Sequence, residues 1–229
     1  MASISDRASG RLVLEILRSS LNVDWKDYVA LVAYKLDGRP FAVLVAVILS
    51  QNTNDKLSIK AYKNLRREIG VKPEEILRAG PEKVEKAIRI AGLARQKSKA
   101  IVELARRVME WGGEEYLLRE ETSILRAKLL EIPGVGPKTV DVFLSLVRRD
   151  PNVFAVDTHA ARIAKRWGLV KGNASYDNVS RALREFFGPE SGDEAHRLLI
   201  ALGRTYCKAR KPLCGSCPVR ELCPSAQPR

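Results

Sequence analysis

The sequence predicts an all-α fold, and three observations carry the prediction. None of the 229 residues sits in a run with the sustained period-two alternation that marks a half-buried strand. Apolar residues recur instead at i, i+3, i+4 and i+7 along most of the chain. Prolines and glycines punctuate these runs, with proline just inside a start and glycine just past an end.

Val13, Ile16 and Leu17 mark a first helix after Ser9. Asn22 or Asp24 caps a second, with Tyr28, Leu31 and Val32 inward, and Gly38-Arg39-Pro40 breaks it. Phe41–Ser50 is apolar on all sides, so it should be the central buried helix. Polarity then switches at Gln51-Asn52-Thr53, and Asn54 or Asp55 caps a helix carrying Leu57, Ala61, Leu65 and Ile69, closed by Gly70. Pro73 to Gly80 is a short helix. Pro81 opens the next, with Val84, Ile88 and Ala91 inward, and Gly92 ends it. Gly92-Leu93-Ala94-Arg95 reads as a loop before a helix through Ile101, Leu104, Ala105 and Val108. Leu125, Leu129 and Ile132 lie on one helix face, and Val140, Phe143, Leu144 and Val147 on another. Val153–Val156 is extended and apolar. Ala160, Ile163, Ala164 and Trp167 form a helix face; Tyr176, Val179, Leu183 and Phe186 form another, ended by Gly188-Pro189. Asp193 caps a last helix holding Leu198, Leu199 and Leu202.

With 45% hydrophobic residues the chain can bury a core as one large domain or two small ones. Forty basic residues against 27 acidic leave a net charge of +13, which favours a polyanionic partner, nucleic acid first. Met1–Ser9 lacks the basic-then-apolar order of a secretory signal. The longest apolar run, Phe41–Leu49, falls far short of the roughly 20 residues that span a membrane. A cytoplasmic, nucleoid-associated monomer is expected.

Two patterns carry chemistry. The first is Leu130–His159, where a Pro-Gly-Val-Gly turn separates two helices. Gly134 and Gly136 permit backbone angles that other residues avoid, and their lack of side chains opens the backbone N–H groups from Gly134 through Val135 to Gly136 to a phosphate. Lys138 follows at the start of the second helix. Partial desolvation and the positive helix end favour its neutral amine, which suits a nucleophile that forms a Schiff base; an exposed lysine touching phosphate is the plainer alternative. Asp157 stands where an N-cap is needed, and a capping role is compatible with support of catalysis.

The second pattern is the cysteines. All four lie within Cys207–Cys223, as Cys207, Cys214, Cys217 and Cys223. Thiols this dense argue for a metal centre over disulfides, and composition permits zinc or a [4Fe–4S] cluster. The loop between the first two carries Lys208, Arg210 and Lys211, which would meet a DNA backbone without reading its sequence.

PGVGPK followed by VDTH resembles the helix-hairpin-helix DNA glycosylases, specifically the endonuclease III family, and the similarity runs from about Phe41 to Cys223. The resemblance implies two helical lobes flanking a DNA-binding cleft: a helical barrel over 37–149, and a second lobe of 1–36 with 150–229. It implies that Lys138 is the nucleophile, that Asp157 is its partner, and that the four cysteines hold a [4Fe–4S] cluster in a C-terminal loop. It places a residue of the Gln51-Asn52 pair in the gap left by a flipped base, at Asn52 by ungapped match, where a glutamine is usual. Leu93 becomes a wedge in the opposite strand, a staple at the helix terminus being the plainer alternative, and Asp55 and His159 line the base pocket. The implied activity is base excision with β-elimination at the abasic site, oxidised pyrimidines being the default lesion. A monofunctional mismatch glycosylase is disfavoured by Lys138, and a non-catalytic DNA-binding module by Lys138, Asp157 and the cysteines together.

Overall fold

A computed structural model describes residues 7–226. Met1–Asp6, part of the stretch read for a signal, lie outside them. The described residues contain twelve α-helices and no strand. They fall into two units: Asp24–Arg148, and the chain up to Val23 together with Arg149 onward. Residues 24–36, assigned above to the second lobe, belong to the first unit, because the helix they enter packs on the central apolar helix.

That central helix is α3 (Pro40–Ser50), and every residue from Phe41 to Leu49 is buried. Around it pack α2 (Val29–Asp37), α4 (Asp55–Glu68), α6 (Ala94–Glu110), α7 (Glu114–Arg119) and α9 (Pro137–Leu146). A helix enclosed on all sides cannot use water to satisfy its first N–H groups. Glu114 of α7 does so instead: one carboxylate oxygen accepts from the Phe41 N–H at 3.2 Å, and the other from Arg39 Nε at 2.9 Å. The sequence reading missed α7, which has six residues and buries one of them, Leu117, too few for a period to show. Asp37 at the end of α2 accepts from the Tyr62 hydroxyl at 2.5 Å and Arg66 Nε at 2.8 Å, tying α2 to α4. α5 (Pro73–Ile88) breaks where the sequence indicates: Gly80 leaves helical geometry at φ 74, ψ 168. α8 (Thr122–Leu130) is clamped to α9 by Arg126 Nε, 3.0 Å from a carboxylate oxygen of the buried Asp141.

The second unit packs α1 (Arg7–Ser20), α10 (Thr158–Arg166), α11 (Tyr176–Phe187) and α12 (Gly192–Thr205) around Leu17, Phe154, Trp167, Leu183, Phe187 and Leu199. α1 approaches α11 so closely that a Cβ on Gly10 would lie 1.9 Å from the Phe186 carbonyl oxygen. The apolar segment 153–156 is buried and extended, with no strand beside it. Side chains one turn apart on α11 satisfy its backbone: the Tyr176 hydroxyl accepts from Val156 N–H at 3.2 Å, Ser180 Oγ donates to the Phe154 carbonyl at 2.7 Å, and Arg184 donates to the Asn152 carbonyl at 3.2 Å. Asp193, expected as a cap, lies inside the first turn of α12, where it pairs with Arg197 at 2.7 Å; Ser191 holds the N-cap position. Among the described residues no helix is long and apolar enough to cross a membrane.

Candidate active site and nucleic-acid interface

In the first unit the hairpin between α8 and α9 is tight. Gly134 has φ 89, a conformation that favours glycine, and a Cβ there would stand 2.7 Å from the Ala100 Cβ of α6. Two constraints thus require glycine at one position. Gly136 differs from expectation. Its φ of −103 is open to any residue, but nothing lies within 4 Å of where its Cβ would be, so the missing side chain keeps an open face. The Val135 N–H is spent on the Ile132 carbonyl at 2.9 Å and its side chain is buried. Among the described residues the N–H groups of Gly134 and Gly136 bond to no backbone group, which leaves them and the N-terminus of α9 for an anion. Pro137 opens α9 and Lys138 follows, half-buried.

The loop after α3 places the two neighbours Gln51 and Asn52 differently. Gln51 Nε2 donates to the Gly134 carbonyl at 2.9 Å and to Thr139 Oγ1 at 3.2 Å, fastening the loop to the hairpin. Asn52 is exposed, at φ 50. Asn54, not Asp55, caps α4, accepting from the Leu57 N–H at 3.0 Å. Asp55 takes the first position of α4, half-buried. Leu93 is the N-cap residue of α6, at φ 51 and 50% exposed, so the helix begins at Ala94, inside the expected loop. Gln51, Asn52, Leu93 and Gly134 line one cavity of about 620 Å³, shared with Lys97.

Left-handed backbone is strained for a side chain that is neither glycine nor a short polar, and such strain gathers at functional sites. Among the described residues the non-glycine positions with positive φ are Asn52, Leu93, Arg149 and Lys211. Three of these are DNA-contact candidates chosen from sequence alone.

In the second unit, Asp157 caps α10: its Oδ1 accepts from the Ala160 N–H at 2.8 Å. It is half-buried and stands at the end of the extended segment that α11 pins. His159 packs on α12, where a Cβ on Gly203 would be 2.3 Å from its Nδ1. An Arg162 nitrogen lies 2.9 Å from that Nδ1. Burial first, then the charges of Arg162 and Arg204, hold the His159 pKa below its ordinary value.

The same helix holds the cysteine loop. Arg162 Nε donates to the Cys207 carbonyl at 2.9 Å; one turn on, Arg166 donates to Cys207 Sγ at 3.1 Å, to the Lys208 carbonyl at 2.8 Å and to the Ala209 carbonyl at 3.2 Å. Lys208, Arg210 and Lys211 are exposed, Lys211 at φ 50. None of the four cysteines is in a disulfide, and all are half-buried. Burial raises the Cys217 and Cys223 pKa values, and the neighbouring cysteines raise them further. Four thiolates here therefore need a cationic centre to offset their charge, and an arginine already donates to one sulfur. The donor set fits a cysteine-ligated cluster on that ground. Among the described residues no three His, Cys, Asp or Glu side chains gather as a single ion requires, so the choice of iron–sulfur over zinc rests on spacing and on the similarity below.

Residues 45–189 match the family model described as HhH-GPD superfamily base excision DNA repair protein, and residues 207–223 match that of the iron-sulfur binding domain of endonuclease III. The chain is 33% identical to endonuclease III of Sulfolobus acidocaldarius over 90% of its own length and 92% of the relative's, and 36% identical to endonuclease III of Bacillus subtilis over 83% of each. Among solved structures it is similar to a non-covalent endonuclease III–DNA complex, with a TM-score of 0.78, 29% identity and coverage of 99% of this chain and 97% of the other. A trapped covalent endonuclease III–DNA intermediate gives a TM-score of 0.72 at 31% identity, over 87% and 94%.

Proposed function

Because the chain belongs to the HhH-GPD superfamily of base excision DNA repair proteins, in its endonuclease III family, it is a DNA glycosylase with abasic-site lyase activity, and we propose that Lys138 is its nucleophile and Asp157 the group that assists it. The observation that carries this assignment is the placement of Lys138: half-buried, in the first turn of a helix whose entry hairpin leaves backbone N–H groups open to an anion.

The hairpin grips a phosphate of the damaged strand through Gly134, Gly136 and the α9 N-terminus. The lesion leaves the stack at an unstacking cost of a few kcal/mol, and Asp55 and His159 are the residues proposed to meet the flipped base. Asn52 occupies the gap and Leu93 enters the opposite strand. The Lys138 amine, having lost a proton, attacks C1′ of the sugar; the base departs with the bonding pair and is protonated. Asp157 helps deprotonate the lysine and stabilises positive charge on the sugar as it develops. The ring opens to a Lys138 imine. Loss of a C2′ proton then expels the 3′ phosphate and nicks the strand, and water releases the lysine. Oxidised pyrimidines are the proposed lesion class, and the chromosome in the cytoplasm the proposed place of work.

Cys207, Cys214, Cys217 and Cys223 hold a [4Fe–4S] cluster, which when bound fixes the loop that carries Lys208, Arg210 and Lys211. Those cations lie against the DNA backbone.

Borohydride reduction on abasic duplex DNA tests the assignment. The wild type should trap covalently, and Lys138→Gln should bind the same DNA without trapping or nicking. Trapping by Lys138→Gln would show that another amine attacks. Asp157→Asn keeps the cap, since asparagine caps about as well as aspartate. Melting should stay near wild type while single-turnover base release falls by about 10²-fold or more, the usual cost of losing acid–base assistance. Unchanged release would leave Asp157 as a cap only.

A further inference from the structure

Lys97 of α6 has no place in the chemistry above, yet it is 3% exposed. Its ammonium donates to the Leu49 carbonyl at 2.9 Å and to the Ala91 carbonyl at 2.9 Å, and among the described residues it has no carboxylate partner. A buried cation with only neutral partners is expensive to keep, and a methionine would fill the same volume without that cost. The two carbonyls it chooses explain its position. Leu49 lies at the end of α3, where carbonyls run out of helical partners, and Ala91 ends the 3-10 turn Arg89–Ala91. Within three residues of each carbonyl the chain reaches an exposed, left-handed, non-glycine residue: Asn52 after Leu49, Leu93 after Ala91. Both tips line the cavity of about 620 Å³ whose wall includes Lys97 itself.

We propose that Lys97 is a positioning residue that couples the Asn52 and Leu93 tips, holding them at one spacing so that they enter the duplex together. The proposal rests on the reading of those tips as DNA-inserting. A single ammonium behind both loops fixes their separation before DNA arrives, so the ordering needed to open a base pair is already done when the protein binds. Two loops anchored independently would each search for their own entry. Burial pushes the Lys97 pKa down to about 8, which still leaves the ammonium largely charged at neutral pH, with three N–H donors for its two acceptors.

Lys97→Met removes the donors and keeps the length. The probe is a duplex carrying 2-aminopurine opposite a tetrahydrofuran abasic analogue, which binds without being cut. In the wild type, insertion unstacks the 2-aminopurine and its fluorescence rises. Asn52→Ala and Leu93→Ala should each reduce that rise. Lys97→Met should reduce it as much as both together, with Kd within about threefold of wild type because the phosphate contacts that supply most of the affinity are untouched. Single-turnover release from a thymine glycol–adenine pair should fall by about tenfold or more, yet by no more than about twofold when the same lesion stands opposite no base, because an unpaired base is cheaper to extrude. A merely structural defect would slow both substrates alike. If Lys97→Met folds poorly, Lys97→Gln takes its place: its amide, on a shorter stem, should fail in the same direction. Wild-type fluorescence from the lysine variants, or equal slowing of both substrates, overturns the coupling role. Wild-type fluorescence from both tip variants overturns instead the reading of Asn52 and Leu93, and with it the basis for coupling them.

Discussion

Leu93 shows how much a single position can demand. A leucine at φ 51 carries about 1–3 kcal/mol of backbone strain, and with half its surface exposed it recovers little by packing. Leu93→Gly should therefore raise the free energy of unfolding by about 1 kcal/mol, measured by denaturant melts, while lowering lesion release from duplex DNA. A variant less stable than wild type would mean that the side chain packs in a way its exposure does not show. Lys97 gives a second residue-scale outcome, with a definite sign. Its folded pKa of about 8 lies below the unfolded value of about 10.4, so between these the unfolded chain binds more protons and stability rises with pH. The contribution is present above about 10.4 and lost as pH falls through about 8. Wild type should gain on Lys97→Met steadily from pH 8 to 10 in paired melts. A flat difference would show that Lys97 titrates alike in both states.

Among the elements, those that punctuate themselves were legible without coordinates. Pro73 opens a helix, and Gly38, Gly80, Gly92 and Gly188 end or break helices, because each acts on its own backbone and needs no distant partner. The hairpin and the four cysteines were legible for the same reason: their meaning lies in short spacing. What stayed hidden depends on residues far apart in sequence. The bond from Gln51 to the Gly134 carbonyl spans 83 positions, beyond any local pattern. Lys97 was not singled out, since one of its two carbonyl partners, Leu49, lies 48 positions away. α7 escaped because a six-residue helix completes fewer than two turns. The hairpin itself yields an element-scale prediction. Gly134→Ala meets the Ala100 Cβ at 2.7 Å and a φ of 89, so it should destabilise by about 2 kcal/mol or more in thermal melts and weaken DNA binding. Adding Ala100→Gly should recover part of the loss, the steric part. No recovery would assign the whole cost to backbone conformation.

At the scale of the molecule, a net charge of +13 gives this protein a general attraction to DNA that no single residue supplies. Most of that charge is diffuse, but Arg162 and Arg166 fasten the cysteine loop to α10, the helix that Asp157 caps, so the loop's cations sit on a rigid mount. Replacing Arg210 and Lys211 with alanine should therefore lower affinity for DNA of any sequence and reduce the log–log salt slope by about 0.9 per lost contact. Binding measured across a salt series on a lesion-free duplex checks it, and an unaltered slope would take the loop off the backbone.

The pinning of the extended segment by α11 has a consequence outside catalysis. Val153–Val156 is a short, apolar, β-favouring run, and a run of that kind with bare backbone groups is a template on which a second chain can add itself. Here hydroxyls and a guanidinium stationed one turn apart on a helix take the hydrogen-bonding positions that a neighbouring strand would claim. The segment keeps the straight, stiff path that aims Asp157 and yet presents no sheet edge to another copy, so a protein crowded along DNA carries a strand-like part without the aggregation hazard that usually accompanies one.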